Sequence, residues 1–257
     1  MITDPLFYLV AIPAVIIMGV SKGGLAGVGV LALPLITLVV SPVQGAAIML
    51  PILILQDIVG VWAFRRTIDR RNLYILLPSA AFGVAIGYLL AARMPDAVVA
   101  IVVGIISIIF GARRFYLDTR KVPPPARTAD IVPGLFWGAC CGFTSMISHS
   151  GAPPFQVYVL PQRLPRDIFI GTSAVVFAVI NWMKVLPYFM LGQFSHTNLA
   201  TAAVLFPLAF ASTWAGVFLV RRIGGKTFYL IVYALLILLG IKLIYSACQS
   251  LGVFNWL

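Results

Sequence analysis

The chain contains no glutamate. Its seven acidic residues are all aspartate, and charged residues fill only 10% of its 257 positions. A soluble domain carries about a quarter charged residues, so this scarcity excludes an ordinary soluble fold. Cysteine is nearly absent: Cys140, Cys141 and Cys248 are the three present. Adjacent cysteines rarely bridge, and nothing has metal-ligand spacing. These three read as small apolar packing residues, with no metal or cofactor implied. The N-terminus lacks a basic region and carries Asp4 instead, so Leu6 onward reads as mature membrane sequence and not as a cleaved signal. No Gly-x-x-x-x-Gly-Lys-Ser/Thr phosphate loop occurs, which argues against direct ATP drive. No polar stretch is long enough for a soluble domain; the longest, Arg113 to Asp130, reads as a loop.

What remains is apolar. Hydrophobic residues make up 61% of the chain, and the mean hydropathy is +1.06. Bilayer-spanning helices need about 17–25 apolar residues, and six segments fit: Val43–Phe64, Leu73–Ala92, Ala97–Ala112, Ile168–Leu191, Leu199–Val220 and Phe228–Cys248. Two longer stretches, Leu6–Val40 and Ile131–Leu160, are broken near their middles by Gly or Pro. The expected fold is therefore an all-α integral membrane protein with about eight transmembrane segments by conventional count. The net charge of +11 does not point to nucleic acid, because the basic residues sit in short connections where topology explains them.

Those connections set an orientation. Arg65, Arg66, Arg70 and Arg71 form one loop; Arg113, Arg114, Arg120, Lys121 and Arg127 the next; Arg163 and Arg166 a third; Arg221, Arg222 and Lys226 a fourth. They hold fourteen of the eighteen basic residues and are placed in the cytoplasm. Both broken stretches must then return to the side they left. Each half becomes one hairpin plus three spans, and the halves are oppositely oriented. The first repeat is residues 1–120, with a hairpin over 6–40 and helices at 43–64, 73–92 and 97–115. A cytoplasmic linker follows at 121–130. The second repeat is 131–257, with a hairpin over 131–160 and helices at 168–191, 199–220 and 228–248. Lys22 precedes Pro34 by twelve residues, as His149 precedes Pro161, and Asp57 and Asn181 lie at similar depths in matching helices. Both termini are expected outside, in a bacterial inner membrane. Trp62, Trp137, Trp182 and Trp256, near segment ends, suit interfacial anchoring. Gly83 and Gly87 form a helix-contact motif.

The run Gly19-Val20-Ser21-Lys22-Gly23-Gly24-Leu25-Ala26-Gly27-Val28-Gly29 resembles the start of the TauE/SafE sulfite-exporter family. In the second half, Gly142-Phe143 before the break and Gly171-Thr172-Ser173 after it extend the likeness, which covers nearly the whole chain. The resemblance implies a membrane carrier of sulfite, sulfoacetate or other organosulfonates.

The residues at the breaks have chemistry of their own. Ionisable groups at membrane depth are costly and usually functional, and paired broken segments point to a transporter site. Freed backbone N–H groups and the positive end of a helix attract anions. The substrate-binding set is therefore Ser21, Lys22, Gly23 and Gly24 at one tip and Ser148, His149, Ser150 and Gly151 at the other, the two tips approaching from opposite sides. Lys22 supplies positive charge; snorkelling or an ion pair with Asp57 are its alternatives. His149, whose imidazole titrates near neutrality, and Asp57 are the coupling candidates. Gln56, Thr144, Ser145 and Asn181 add polar contacts. Lys184 and Lys242 are expected to snorkel, and His196 to be solvated. The leading function is secondary transport of small sulfur anions by alternating access, with coupling to protons through His149 or Asp57 as a further option. A passive anion channel and a membrane-embedded enzyme are the alternatives. The partners expected are a small anion and the bilayer.

Overall fold

The computed structural model describes residues 1–24, 29, 32–36, 38–90, 96–119 and 125–251. Those residues form helices and short connections with no strand among them, and the α-helices are ten: α1 Pro5–Lys22, α2 Ala32–Ile36, α3 Pro42–Phe64, α4 Arg70–Leu90, α5 Asp96–Thr119, α6 Ile131–Ser148, α7 Ala152–Val159, α8 Arg166–Met190, α9 His196–Arg221 and α10 Gly225–Ser250. Seven are long and apolar enough to cross a membrane, and α6 is a shorter apolar helix. The protein is a multi-span helical membrane protein.

Helix starts follow local chemistry. Asp4 Oδ1 accepts the Leu6 N–H at 2.9 Å ahead of Pro5, and Ser195 Oγ accepts the Asn198 N–H at 3.2 Å. These side chains satisfy amides that a first helical turn leaves orphaned. The span limits read from hydropathy agree with the helices to within a few residues. Several basic residues read as loop lie in the helix ends: Arg70 and Arg71 open α4, Arg166 opens α8, Arg221 ends α9, Lys226 is in the first turn of α10, and Arg113 and Arg114 are helical because α5 runs on to Thr119. The residues from Arg113 to Thr119 include no Gly or Pro, so no helix breaker stands where the hydrophobicity stops.

The described chain divides into two compact units, Met1–Asp69 with Asp167–Gly224, and Arg70–Arg166 with the chain from Gly225 on. Each unit takes helices from both sequence halves.

In the first unit, α1 and α9 lie side by side and parallel. The Ile2 N–H donates to Thr201 Oγ1 at 2.9 Å near their starts, and Gly24 reaches Val220 near their ends. The approach is tight: a Cβ on Gly23 would stand 2.5 Å from the Val217 nitrogen, and one on Gly19 2.0 Å from Ser212 Oγ. Small residues are what let membrane helices approach this closely. Helix α3 runs the same way, with Gln44 against Asn198 and the Ala63 carbonyl near Arg221. Because α1 and α3 start at the same end, the first broken stretch begins and ends at one end of this unit. Helix α8 runs oppositely, with Gly171 against Thr67 and Asn181 against Asp57.

The second unit pairs α6 with α4, again in parallel. A Cβ on Gly142 would stand 2.0 Å from the Ala80 carbonyl oxygen, and one on Gly83 2.0 Å from that of Ala139. The Gly83/Gly87 motif is thus a helix contact. Asn72 and Gln162 exchange two hydrogen bonds, 2.8 and 3.0 Å, joining the end of the second broken stretch to the start of α4. Tyr158 donates to the Asp130 carbonyl at 3.0 Å, so this stretch also leaves and returns at one end. Helices α5 and α10 pack antiparallel through Gly104 and Gly240.

Candidate functional site: the Lys22–Asp57–Asn181 cluster

Helix α1 has 18 residues, about 26 Å at 1.5 Å per residue. Its last residue is Lys22, and the chain turns at Gly23 and Gly24. Gly24 has φ +136°, a value that L side chains avoid. The turn lies level with Gly60, Ile170 and Val220, close to the ends of α3 and α9. Helical side chains lean toward their N-terminus, and the Lys22 ammonium accordingly reaches back to Asp57, one turn before Gly60.

The Lys22 ammonium donates to Asp57 Oδ1 at 2.6 Å, with side-chain exposures of 14% and 2%. Asn181 Nδ2 donates to Asp57 Oδ2, also at 2.6 Å. The ammonium also stands 5.5 Å from the centre of the Phe177 ring. Three helices, α1, α3 and α8, thus converge on one carboxylate. The ion pair held as an alternative for Lys22 is what forms, so the lysine at rest is neutralised. Gln56, buried beside Asp57, donates its amide to the Val15 carbonyl at 3.2 Å, while its Oε1 has no hydrogen-bond partner. Gln56 therefore serves the α1–α3 contact.

Ser21 is half-buried. Gly23 owes its identity to the α9 backbone pressed against it. The second tip belongs to the second unit. His149 ends α6 with φ 52° and ψ 23°, the left-handed conformation, and its N–H and that of Ser150 close the helix onto Ser145 and Thr144 carbonyls. Glycine is the usual occupant of such a cap. The Thr144 hydroxyl donates to its own helix, to the Cys140 carbonyl at 2.8 Å. Gly151 fits because a Cβ there would stand 2.9 Å from the Cys141 carbonyl oxygen. Ser145 and Ser150 are buried. The Ser148 side chain, residues 25–28 of the motif and Trp256 lie outside the described residues.

Sequence reasoning missed Lys184. It was expected to snorkel, yet it is fully buried. Distance from a helix end misled; the face did not. Phe177, Asn181 and Lys184 recur at intervals of four and three, which puts them on one side of α8. Lys242 is half-exposed and His196 exposed. Among the described residues no group of His, Cys and Asp could hold a metal.

No curated protein and no solved structure matches the chain. A family model, sulfite exporter TauE/SafE, matches residues 11–243. That match takes in both breaks and the residues Lys22, Asp57 and Asn181, and the chain belongs to the TauE/SafE sulfite exporter family.

Proposed function

We propose that the protein is a secondary transporter that carries a small sulfur oxyanion or organosulfonate together with a proton by alternating access. The observation that carries this reading is the Lys22–Asp57–Asn181 cluster. A substrate anion and the Asp57 carboxylate compete for the same ammonium. While Asp57 is charged, the cluster is neutral and holds an anion poorly. When Asp57 takes a proton, Lys22 is left as an uncompensated cation in a low-dielectric surrounding, where its attraction for an anion is strong. Anion and proton then load together. Lys22 is the described charged group in contact with Asp57; α8 adds Asn181 there and Lys184 one turn further on. With a monovalent sulfonate the loaded site returns to neutrality, so the loaded form crosses without carrying net charge from these groups.

Ser21 and Gly24 complete the proposed binding set of the first unit, and Ser148, His149, Ser150 and Gly151 are the set proposed for the second. Ser145 and Thr144 lie behind the second. The halves are read as inverted repeats, which the pairings support: α1 lies parallel to α9 as α6 lies parallel to α4. Asn72 and Asn198 are each the third residue of their helix, and each meets a glutamine near the end of a broken stretch. The basic helix ends are placed in the cytoplasm of a bacterial cell.

The test is proteoliposome uptake of sulfite, sulfoacetate and taurine. Saturable counterflow with Lys22-dependent binding is expected. Asp57→Asn, which keeps the shape but is permanently neutral, should retain anion binding and lose its pH dependence. Unsaturable flux would favour a channel. Equal binding by Lys22→Ala would remove the site assignment.

A further inference from the structure

The second unit holds a cavity of about 290 Å³ at its arginine-rich end. Arg113 and Arg114 from α5 and Arg127 line it, and Phe110, Trp137 and Val157 give it apolar walls. A smaller cleft shares Arg127 and Trp137 and adds Asp130. The Asp130 carboxylate accepts the Thr128 hydroxyl at 2.6 Å. Three arginine side chains therefore line the cavity, with Asp130 in the adjoining cleft. Arg114 is only 5% exposed, with its guanidinium 5.9 Å from the centre of the Tyr233 ring. A long flexible side chain at a helix end normally extends to water; here packing against Tyr233 of α10 keeps it at the cavity. Arg113 and Arg127 are exposed and close the charged side. The helices that bear the apolar wall present Ile109, Leu135 and Phe136 outward, with exposures of 64%, 43% and 60%, which marks a lipid-facing surface beside the cavity.

The fork of a guanidinium suits a phosphate group, with two parallel N–H donors per arginine. Sulfite and sulfate are also anions, but neither carries a body for the Trp137 and Phe110 walls. We propose that this cavity binds a phosphate ester, with the phosphate on Arg113, Arg114 and Arg127 and the esterified carbon skeleton against the apolar wall. Basic pockets between membrane helices are suited to lipid headgroups, and the adjacent lipid-facing surface gives acyl chains a path. A soluble phosphate ester offers the same headgroup chemistry. The site shares no residue with the Lys22 cluster, and the proposal stands or falls independently of the transported anion.

The experiment uses the full-length protein, delipidated in a neutral detergent, and reads its melting temperature against added ligand. The ligands are phosphatidylglycerol, cardiolipin, phosphatidylcholine, sn-glycerol 3-phosphate and sulfite. The variants are Arg113→Gln/Arg127→Gln, whose positions are exposed, and Arg70→Gln, a basic residue at the start of α4 that does not line the cavity. A saturable rise with the anionic lipids but not with phosphatidylcholine or glycerol phosphate supports the proposal with a lipid as source. A rise with glycerol phosphate as well supports it with a soluble ester. In either case the double variant should need about tenfold more ligand, and Arg70→Gln should behave as the parent. No rise, a rise unchanged in the double variant, a loss shared by Arg70→Gln, or a sulfite shift equal to the phosphate-ester shift and lost in the double variant each overturns it.

Discussion

The Asp57 carboxylate receives two donors at 2.6 Å, one from Lys22 and one from Asn181. Removing one member of a buried pair leaves the other charged in a poor solvent, typically at about 3–5 kcal/mol. Lys22→Ala should therefore lower the melting temperature as well as abolish anion binding. Lys22→Ala/Asp57→Asn should recover stability without recovering transport, and that split separates a folding role from a carrier role. His149 allows a cleaner separation. Its left-handed conformation costs an L residue roughly 1 kcal/mol relative to glycine. His149→Gly should keep or raise the melting temperature. If the imidazole serves the carrier cycle, the same variant loses transport; full activity in His149→Gly would leave the histidine without a role there. Strain retained at one residue is a pointer toward function and is tested by relieving it.

At the scale of elements, the broken stretches are held by a few polar clasps. Asn72 and Gln162 are both buried and satisfy each other. Asn72→Ala removes the donor to Gln162 Oε1, while Gln162 Nε2 keeps the Tyr158 carbonyl at 3.2 Å, and should destabilise the protein by about 1–3 kcal/mol, measured as a lowered melting temperature in detergent; Asn72→Asp, which cannot donate to Gln162 Oε1, should also be less stable than the parent. The span limits were legible because length and hydropathy record the bilayer directly, and the return of each broken stretch was legible from loop charge. The partners were not. Lipid is as apolar as leucine, so an apolar face does not reveal which helix covers it. Gly19, Gly23 and Gly216 carried the trace of the α1–α9 contact, as small residues at helical spacing, yet Gly23 read more naturally as part of a charged break. The charge pair was legible as an option, since Lys22 and Asp57 are the ionisable residues that both sit deep in neighbouring segments. Lys184 escaped because its depth was judged along the chain and not around the helix.

At the scale of the molecule, the sequence halves and the compact units do not coincide. The first unit needs α8 and α9 from the second half to cover α1 and α3, and the second unit needs α4 and α5 from the first half to cover α6 and α10. A fragment ending in the 121–124 connection thus has α1 without α9, and its Gly19–Gly23 face without the helix that fills it. Such a fragment cannot bury that face or complete the Asp57 cluster, because Asn181 lies on the other piece. Expressed alone, residues 1–124 and 125–257 should each be degraded. Expressed together, they should recover a protease-resistant complex and anion transport, since the cut falls in a connection between helices and leaves every described interhelical contact intact. Stable, separately folded halves would show that the pairings α1–α9 and α4–α6 do not hold the protein together. Co-expressed halves that associate but do not transport would place the connection itself in the carrier cycle.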